Sequence, residues 1–310
     1  MNMKGPILLL ITAILWGMAF VAQTDASQHV QPFTFNASRN FIGALFLTGV
    51  IAWRKRSGSD KPPVESGGRG YSKRTLIVGG ILCGVVLFGA SYLQQAGITS
   101  YPSDTAVSGR SGFITALYMV IVAVIGTFTG KRPHPLVFAA VGVALLGMWF
   151  LCVPDGFDSI YFGDVLVFFC AIGYALHIIV IDRYTHVDGV RLSRVQLITA
   201  GGLSLVCMLV FEQPELAFVL AAAIPILYAG ICSDGIAFTF QIIAQQTTDA
   251  TVASILMSLE SVFAALGGWL ILAEALSPIE LLGCLLVFAA VILAQVPDFM
   301  ENARRKKRTG

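Results

Sequence analysis

The sequence predicts an all-α integral membrane protein, with ten transmembrane helices arranged as two inverted five-helix repeats. Three observations carry that expectation. The 310 residues are 56% hydrophobic and only 12% charged, with a mean hydropathy of +0.79, whereas a soluble domain has about a quarter of its residues charged. Apolar runs long enough to cross a bilayer recur from end to end, and the basic residues cluster in alternate gaps between them. Disorder is excluded too, because it requires low hydrophobicity and high net charge, and the formal net charge is +2.

At about 20 apolar residues per crossing, the runs place spans at approximately 6–23, 33–53, 76–97, 105–129, 135–153, 161–181, 193–211, 217–243, 250–272 and 279–297. The first follows Lys4 and could be read as a signal peptide, but no small-x-small cleavage site follows it. The second ends in Arg54, Lys55 and Arg56, and a Gly-, Ser- and Pro-rich linker from Ser57 to Ser72 leads to the third. Asp104 and Asp249 precede the fourth and ninth runs and read as N-caps, their oxygens meeting orphan amides. With the N-terminus inside, 18 of the 20 Lys and Arg fall on inner segments. The other two, Arg39 and Arg110, lie within spans. Both termini are therefore expected on the cytoplasmic side, since cytoplasmic loops collect basic residues. The outer loops carry Asp25, Asp155, Asp158, Glu212 and Glu215, read as solvated acids. All six cysteines sit in apolar runs without a CxxC pair and read as small buried hydrophobes, so no metal or other cofactor is expected.

An internal repeat is visible. Ser103 to Ser108 align with Thr248 to Ala253, and Leu117-Tyr118 with Val262-Phe263. After a two-residue shift Pro135 falls opposite Pro278, while Trp16-Gly17 is set opposite Tyr174-Ala175. The expected division is 1–153 for the first repeat, 154–298 for the second and 299–310 for a basic tail. An odd number of helices per half turns the second half over, as in many secondary transporters.

Leu15-Trp16-Gly17, Arg39, Ser108 to Tyr118, and Ser258 to Gly268 followed by Glu274 resemble the EamA-type branch of the drug/metabolite transporter superfamily over essentially the whole chain. Ser261 and Ala123 stand where that family commonly has Pro. The resemblance implies a ten-helix carrier of small metabolites, amino-acid exporters prominent among its relatives, in a bacterial inner membrane. It also implies a central cavity lined by helices including the first, third, fourth, sixth, eighth and ninth.

Ionisable groups at bilayer depth each need a partner, water or a function. At 1.5 Å per residue, Arg110 lies about 9 Å below the outer end of the fourth span and Glu260 roughly 14–16 Å from either end of the ninth. Their similar depth suggests a charge pair across the cavity, serving substrate, structure or both. Asp234 reads as a proton carrier or as the cap of a broken helix, and His177 as a proton carrier or a hydrogen-bonded core histidine. Arg39, about 9 Å deep, is expected to meet a carbonyl or to snorkel outward, and Glu274 to be a turn or hinge residue. Ser254, Ser258 and Ser261 share one helix face, as do Ser108, Ser111 and Thr115, a pattern of helix packing or substrate contact. Trp16, Tyr118 and Tyr174 offer faces to an amphipathic metabolite, and Gln94, Gln95 and Gln241 offer amides to it. The candidate substrate-binding or coupling set is therefore Trp16, Gln94, Gln95, Arg110, Thr115, Tyr118, Tyr174, His177, Asp234, Gln241, Ser258 and Glu260.

These readings describe a secondary transporter, an exporter of small polar metabolites such as amino acids, working by alternating access with protons as a candidate coupling ion. The expected partners are that substrate, protons and the lipid bilayer, with no nucleic acid. No G-x-x-x-x-G-K-[S/T] loop is present to bind ATP. The alternative is an intramembrane enzyme acting on a lipid-linked substrate, which lacks support from any HExxH, GxSxG or paired acidic motif.

Overall fold

The computed structural model describes residues 4–59, 72–102, 105–128, 134–152, 160–274 and 277–309, and these are helical with no strand among them. The helices are α1 (Lys4–Ala26), α2 (Pro32–Arg56), α3 (Lys73–Thr99), α4 (Val107–Thr115), α5 (Tyr118–Phe128), α6 (Pro135–Cys152), α7 (Phe162–Arg183), α8 (Gly189–Phe211), α9 (Leu216–Ala221) and α10 (Ala223–Tyr228). A π-helical segment (Ala229–Ala237) then leads into α11 (Phe238–Gln245), α12 (Ala250–Met257), α13 (Glu260–Ile271) and α14 (Pro278–Thr309).

Among the described residues seven stretches are long and apolar enough to cross a membrane: Lys4–Ala26, Lys73–Thr99, Val107–Phe128, Phe162–Arg183, Gly189–Phe211, Ala223–Gln245 and Ala250–Ile271. Of the other three expected spans, α2 is long enough but carries buried Thr34, Asn36, Arg39 and Asn40 together with a basic last turn. In α6 and α14 the continuously described stretches, Pro135–Gly147 and Leu281–Ala290, are apolar as well. Large side chains on the outside are apolar, as at Leu45, Phe128, Leu209 and Leu270. Polar side chains such as Gln23, Asn40, Gln95, Gln196 and Gln241 are buried instead. That inversion suits a solvent that offers no hydrogen bonds.

The expected run at 217–243 is not one helix. It starts with the short α9, turns at Ala222 and continues through α10 into the π-helical segment. The fourth and ninth runs are each broken near mid-length, at 116–117 and at 258–259. There the ladder tightens to i→i−3 bonds, with Leu117 N donating to the Ile114 carbonyl at 3.2 Å and Ser261 N to the Ser258 carbonyl at 3.1 Å. In the ninth run the hydroxyls of Ser254, Ser258 and Ser261 donate back to the carbonyls of Thr251, Ile255 and Ser258 at 2.7–2.8 Å. Such bonds bend helices. The serine stripe thus serves the break.

Long-range packing pairs α1 with α13, the α10–α11 region with α1 and α2, α2 and α3 with α8, α3 with α7, α4 with α7 and α13, and α6 with α14. Small residues permit the closest of these approaches. A Cβ on Gly17 would meet Phe263 Cβ and lie 2.7 Å from the Glu260 carbonyl oxygen. Gly17→Val is expected to overpack the α1–α13 contact and destabilise by about 1–3 kcal/mol, lowering the Tm measured in detergent. Gly89→Ala, at a position with nothing within 4 Å, serves as the control that should not lower it.

Candidate functional site

The breaks and the π-helical segment converge on one narrow cavity with a volume of about 30 Å³. Trp16, Phe20 and Gln23 enter from α1, Arg39 from α2, Gln94 from α3, Thr115 from α4, Tyr118 from α5, and Tyr174 and His177 from α7. Ser233 comes from the π-helical segment, Phe238 and Gln241 from α11, and Glu260 from α13. The first, third, fourth, sixth, eighth and ninth expected spans all contribute, and the second joins them through Arg39.

One wall is internally satisfied. The Tyr174 hydroxyl donates to Gln94 Oε1 at 3.1 Å, and Gln94 Nε2 donates to Thr115 Oγ1 at 3.3 Å. His177 Nε2 lies 3.1 Å from Gln196 Oε1, and the imidazole meets Phe238 edge-on, the surroundings of a hydrogen-bonded core histidine that also reaches the cavity. The rest of the lining is left short. Trp16 Nε1, Gln23 Oε1, Tyr118 Oη, both amide atoms of Gln241 and Glu260 Oε1 are buried without a hydrogen-bond partner. The Tyr118 phenol lies beside the Glu260 carboxylate, short of hydrogen-bond geometry. Buried polar atoms are nearly always partnered, so those that share this cavity mark a place for a polar guest.

The expected Arg110–Glu260 pair does not form. Arg110 grips Asp164 of α7 in a fork, Nε to Oδ1 at 2.7 Å and Nη2 to Oδ2 at 2.6 Å. The Tyr101 hydroxyl donates to the same carboxylate at 2.8 Å, and the Tyr161 ring stacks on the guanidinium at 4.9 Å. Burial and the Asp164 charge push the Tyr101 phenol up, which keeps it a donor. Matching depth did not fix the partner, because α4 turns Arg110 toward α7. Asp164 went unrecognised as a span boundary. Its place three residues after Tyr161, whose amide it accepts at 2.8 Å, is the capping signal that could have found it. Glu260 has no basic partner within ion-pair distance among the described residues.

Arg39 does not snorkel outward. It is buried, its Nε 3.5 Å from Asp234 Oδ2, and it lines the cavity. Asp234 sits behind it on the π-helical segment, outside the lining, and accepts no hydrogen bond; of its two readings, the cap of a broken helix does not form. Gln95 points elsewhere, donating to the Gln23 carbonyl at 3.1 Å, and Ser258 is spent on the Ile255 carbonyl. Gln95, Arg110, Asp234 and Ser258 therefore lie off the cavity wall, while Gln23, Arg39, Ser233 and Phe238 were missed on it.

Carboxylates also tie helix ends together. Glu212, expected to be merely solvated, accepts from the amides of Phe33 and Thr34 at 2.7 Å each and from the Thr34 hydroxyl at 2.6 Å, capping α2. Glu274, reached through Ala273 with φ 56°, accepts from Ser108 N and Oγ at 3.1 Å, capping α4. Burial raises the Glu274 carboxyl against the pull of those amides. Asp249 caps α12 as expected, accepting from Thr251 N at 2.9 Å, whereas Asp104 lies outside the described residues. Among the described residues no cluster of His, Cys, Asp and Glu could hold a metal ion.

An apolar exterior around a polar chamber, with helices long enough to cross a bilayer, is that of an integral membrane protein. The EamA-like transporter family matches residues 3–153 and 161–295, and the chain belongs to that family. It is 25% identical over 293 residues to an uncharacterized transporter of Archaeoglobus fulgidus, covering 93% of this chain and 84% of the relative. It is 24% identical over 289 residues to the uncharacterized transporter YoaV of Bacillus subtilis, covering 90% and 92%. A solved crystal structure shares the fold with a TM-score of 0.72 at 20% identity, over 94% of this chain and 98% of the other.

The fork makes a stability prediction. Arg110→Gln leaves Asp164 without its cation and is expected to cost about 3 kcal/mol. The double variant Arg110→Gln/Asp164→Asn should be closer to the wild type than that single variant, read as Tm in detergent through a double-mutant cycle.

Proposed function

We propose that the chain is a secondary transporter that moves a small polar metabolite by alternating access, and that the cavity between α1, α5, α11 and α13 is its binding site. The observation that carries this reading is the set of unpartnered donors and acceptors, Trp16, Tyr118, Gln241 and Glu260, collected around one chamber. A guest with complementary groups completes those bonds. In hydrocarbon nothing else does.

Ten spans in two inverted repeats suit this mechanism. The helix packing supports the repeat: advancing both members of a pair by five expected spans, counted cyclically, turns each main contact into another. The pairing of α3 with α7 becomes that of the α10–α11 region with α1, and α4 with α7 becomes α13 with α1. The interfaces of α2 with α8, α4 with α13, and α6 with α14 map onto themselves. The fourth and ninth runs are broken after 9 and 8 residues, and the family matches each half separately. Two such halves can rock about a shared centre and open it to either side in turn.

In this reading the protein lies in a bacterial inner membrane with both termini cytoplasmic and works as an exporter of metabolites such as amino acids. A cysteine at Ser57 should then react with a membrane-impermeant maleimide only from the cytoplasmic face, and one at Gln213 only from the opposite face; both positions are exposed. The reverse pattern overturns the orientation.

Glu260 is the proposed proton-coupling group: it is 3% exposed, faces the cavity and lacks a cation. In proteoliposomes, flux of a labelled amino-acid mixture by the wild type should respond to a pH gradient, and Glu260→Gln should remove that response. Flux indifferent to the gradient together with a fully active Glu260→Gln protein overturns the coupling. No flux in any condition overturns the transport reading.

A further inference from the structure

Among the described residues two Arg–Asp pairs are largely buried, and they differ in a way that separates a brace from a reader. Arg110 and Asp164 form a fork at 2.6 and 2.7 Å, and a tyrosine completes the carboxylate. Geometry of that quality is what holds a buried pair together. Arg39 and Asp234 share one 3.5 Å approach through Nε, with side chains 3% and 0% exposed. The Arg39 guanidinium makes no hydrogen bond to any described residue, its other contact being the Phe35 ring at 5.4 Å, and both Asp234 oxygens accept none. Five N–H donors are thus held beside a chamber that Arg39 itself lines.

The backbone enforces this loose pairing. A Cβ on Gly43 would lie 2.8 Å from the Gly230 carbonyl oxygen and 3.0 Å from Asp234 Cβ, and one on Gly230 would lie 2.9 Å from the Arg39 carbonyl oxygen. α2 and the π-helical segment therefore touch through their main chains. Asp234 is fixed behind Arg39 as a neutralising charge, while the unused donors remain available to the cavity. Tyr174 stands in the field of Arg39 and of Glu260 alike, so the chamber has a positive and a negative pole with aromatic surface between them.

We infer that Arg39 reads the anionic group of the substrate, a carboxylate on a small metabolite, and that Asp234 is the resting counter-ion from which the guanidinium turns when that carboxylate enters. The inference rests on the transporter reading and names the substrate chemistry of the same site. For an amino acid the carboxylate meets Arg39 and the ammonium meets Glu260. Asp234 competes with the ligand, so removing its charge strengthens carboxylate binding. Removing Arg39 abolishes the distinction between a carboxylate and its ester.

The test is the Tm of the full chain in detergent, titrated with an equimolar mixture of the standard L-amino acids and, separately, with the mixture of their methyl esters, which keep the amine and lose the anion. The wild type should be stabilised by the acids in preference to the esters. Asp234→Asn should keep that preference and reach half-effect at a roughly tenfold lower acid concentration. Arg39→Gln/Asp234→Asn, which buries no unpaired charge, should respond equally to both mixtures. Equal stabilisation of the wild type by acids and esters, a preference that survives in the double variant, or no stabilisation by either mixture overturns the inference. Labelled flux in proteoliposomes judges the transporter reading separately: flux retained by a double variant whose acid preference is unchanged sinks the role of Arg39 and leaves transport standing.

Discussion

Hydrocarbon offers no hydrogen bonds, and that constraint organises the whole molecule. Polar side chains carried by the helices are sheltered from it inside the bundle, which turns Asn40, Gln95, Gln196 and Ser193 inward and leaves Leu, Phe and Val outside. Glycines let the helices close up around them, as where Gly17 abuts the Glu260 turn and Gly43 abuts Gly230. Helix ends obey the same demand. Glu212, Glu274 and Asp249 each cover amides that a helix start leaves open.

The cavity gathers several of these side chains, and its two walls differ. The Gln94–Thr115–Tyr174 chain is complete, while Trp16, Tyr118, Gln241 and Glu260 are left with unmet atoms on the same chamber. Irregular backbone lies beside each of them: the break at 116–117, the break at 258–259, and the π-helical turn before α11. Non-helical backbone is tolerated at membrane depth where it borders a cavity or is covered by protein. The two broken helices and the unsatisfied side chains are thus one feature seen at two scales.

Much of this was legible in the residues. The wall positions Trp16, Gln94, Thr115, Tyr118, Tyr174, His177, Gln241 and Glu260 could be picked out because a polar or amphipathic side chain in a long apolar run stands out against its neighbours. Partners could not be picked out. Arg110 and Glu260 share a depth, yet Arg110 bonds Asp164, a residue that the sequence pattern did not single out. Arg39 looked shallow enough to reach the surface, and it faces inward because α2 packs against the π-helical segment.

Composition, run length and charge placement determined by themselves that the chain is a helical membrane protein, and its motifs placed it in a transporter family, because these depend on transfer free energy and local pattern. The tertiary structure decided which charge meets which. A helix turns about 100° per residue, so the face a side chain presents depends on how its helix is rotated against its neighbours, and only the packed bundle sets that rotation.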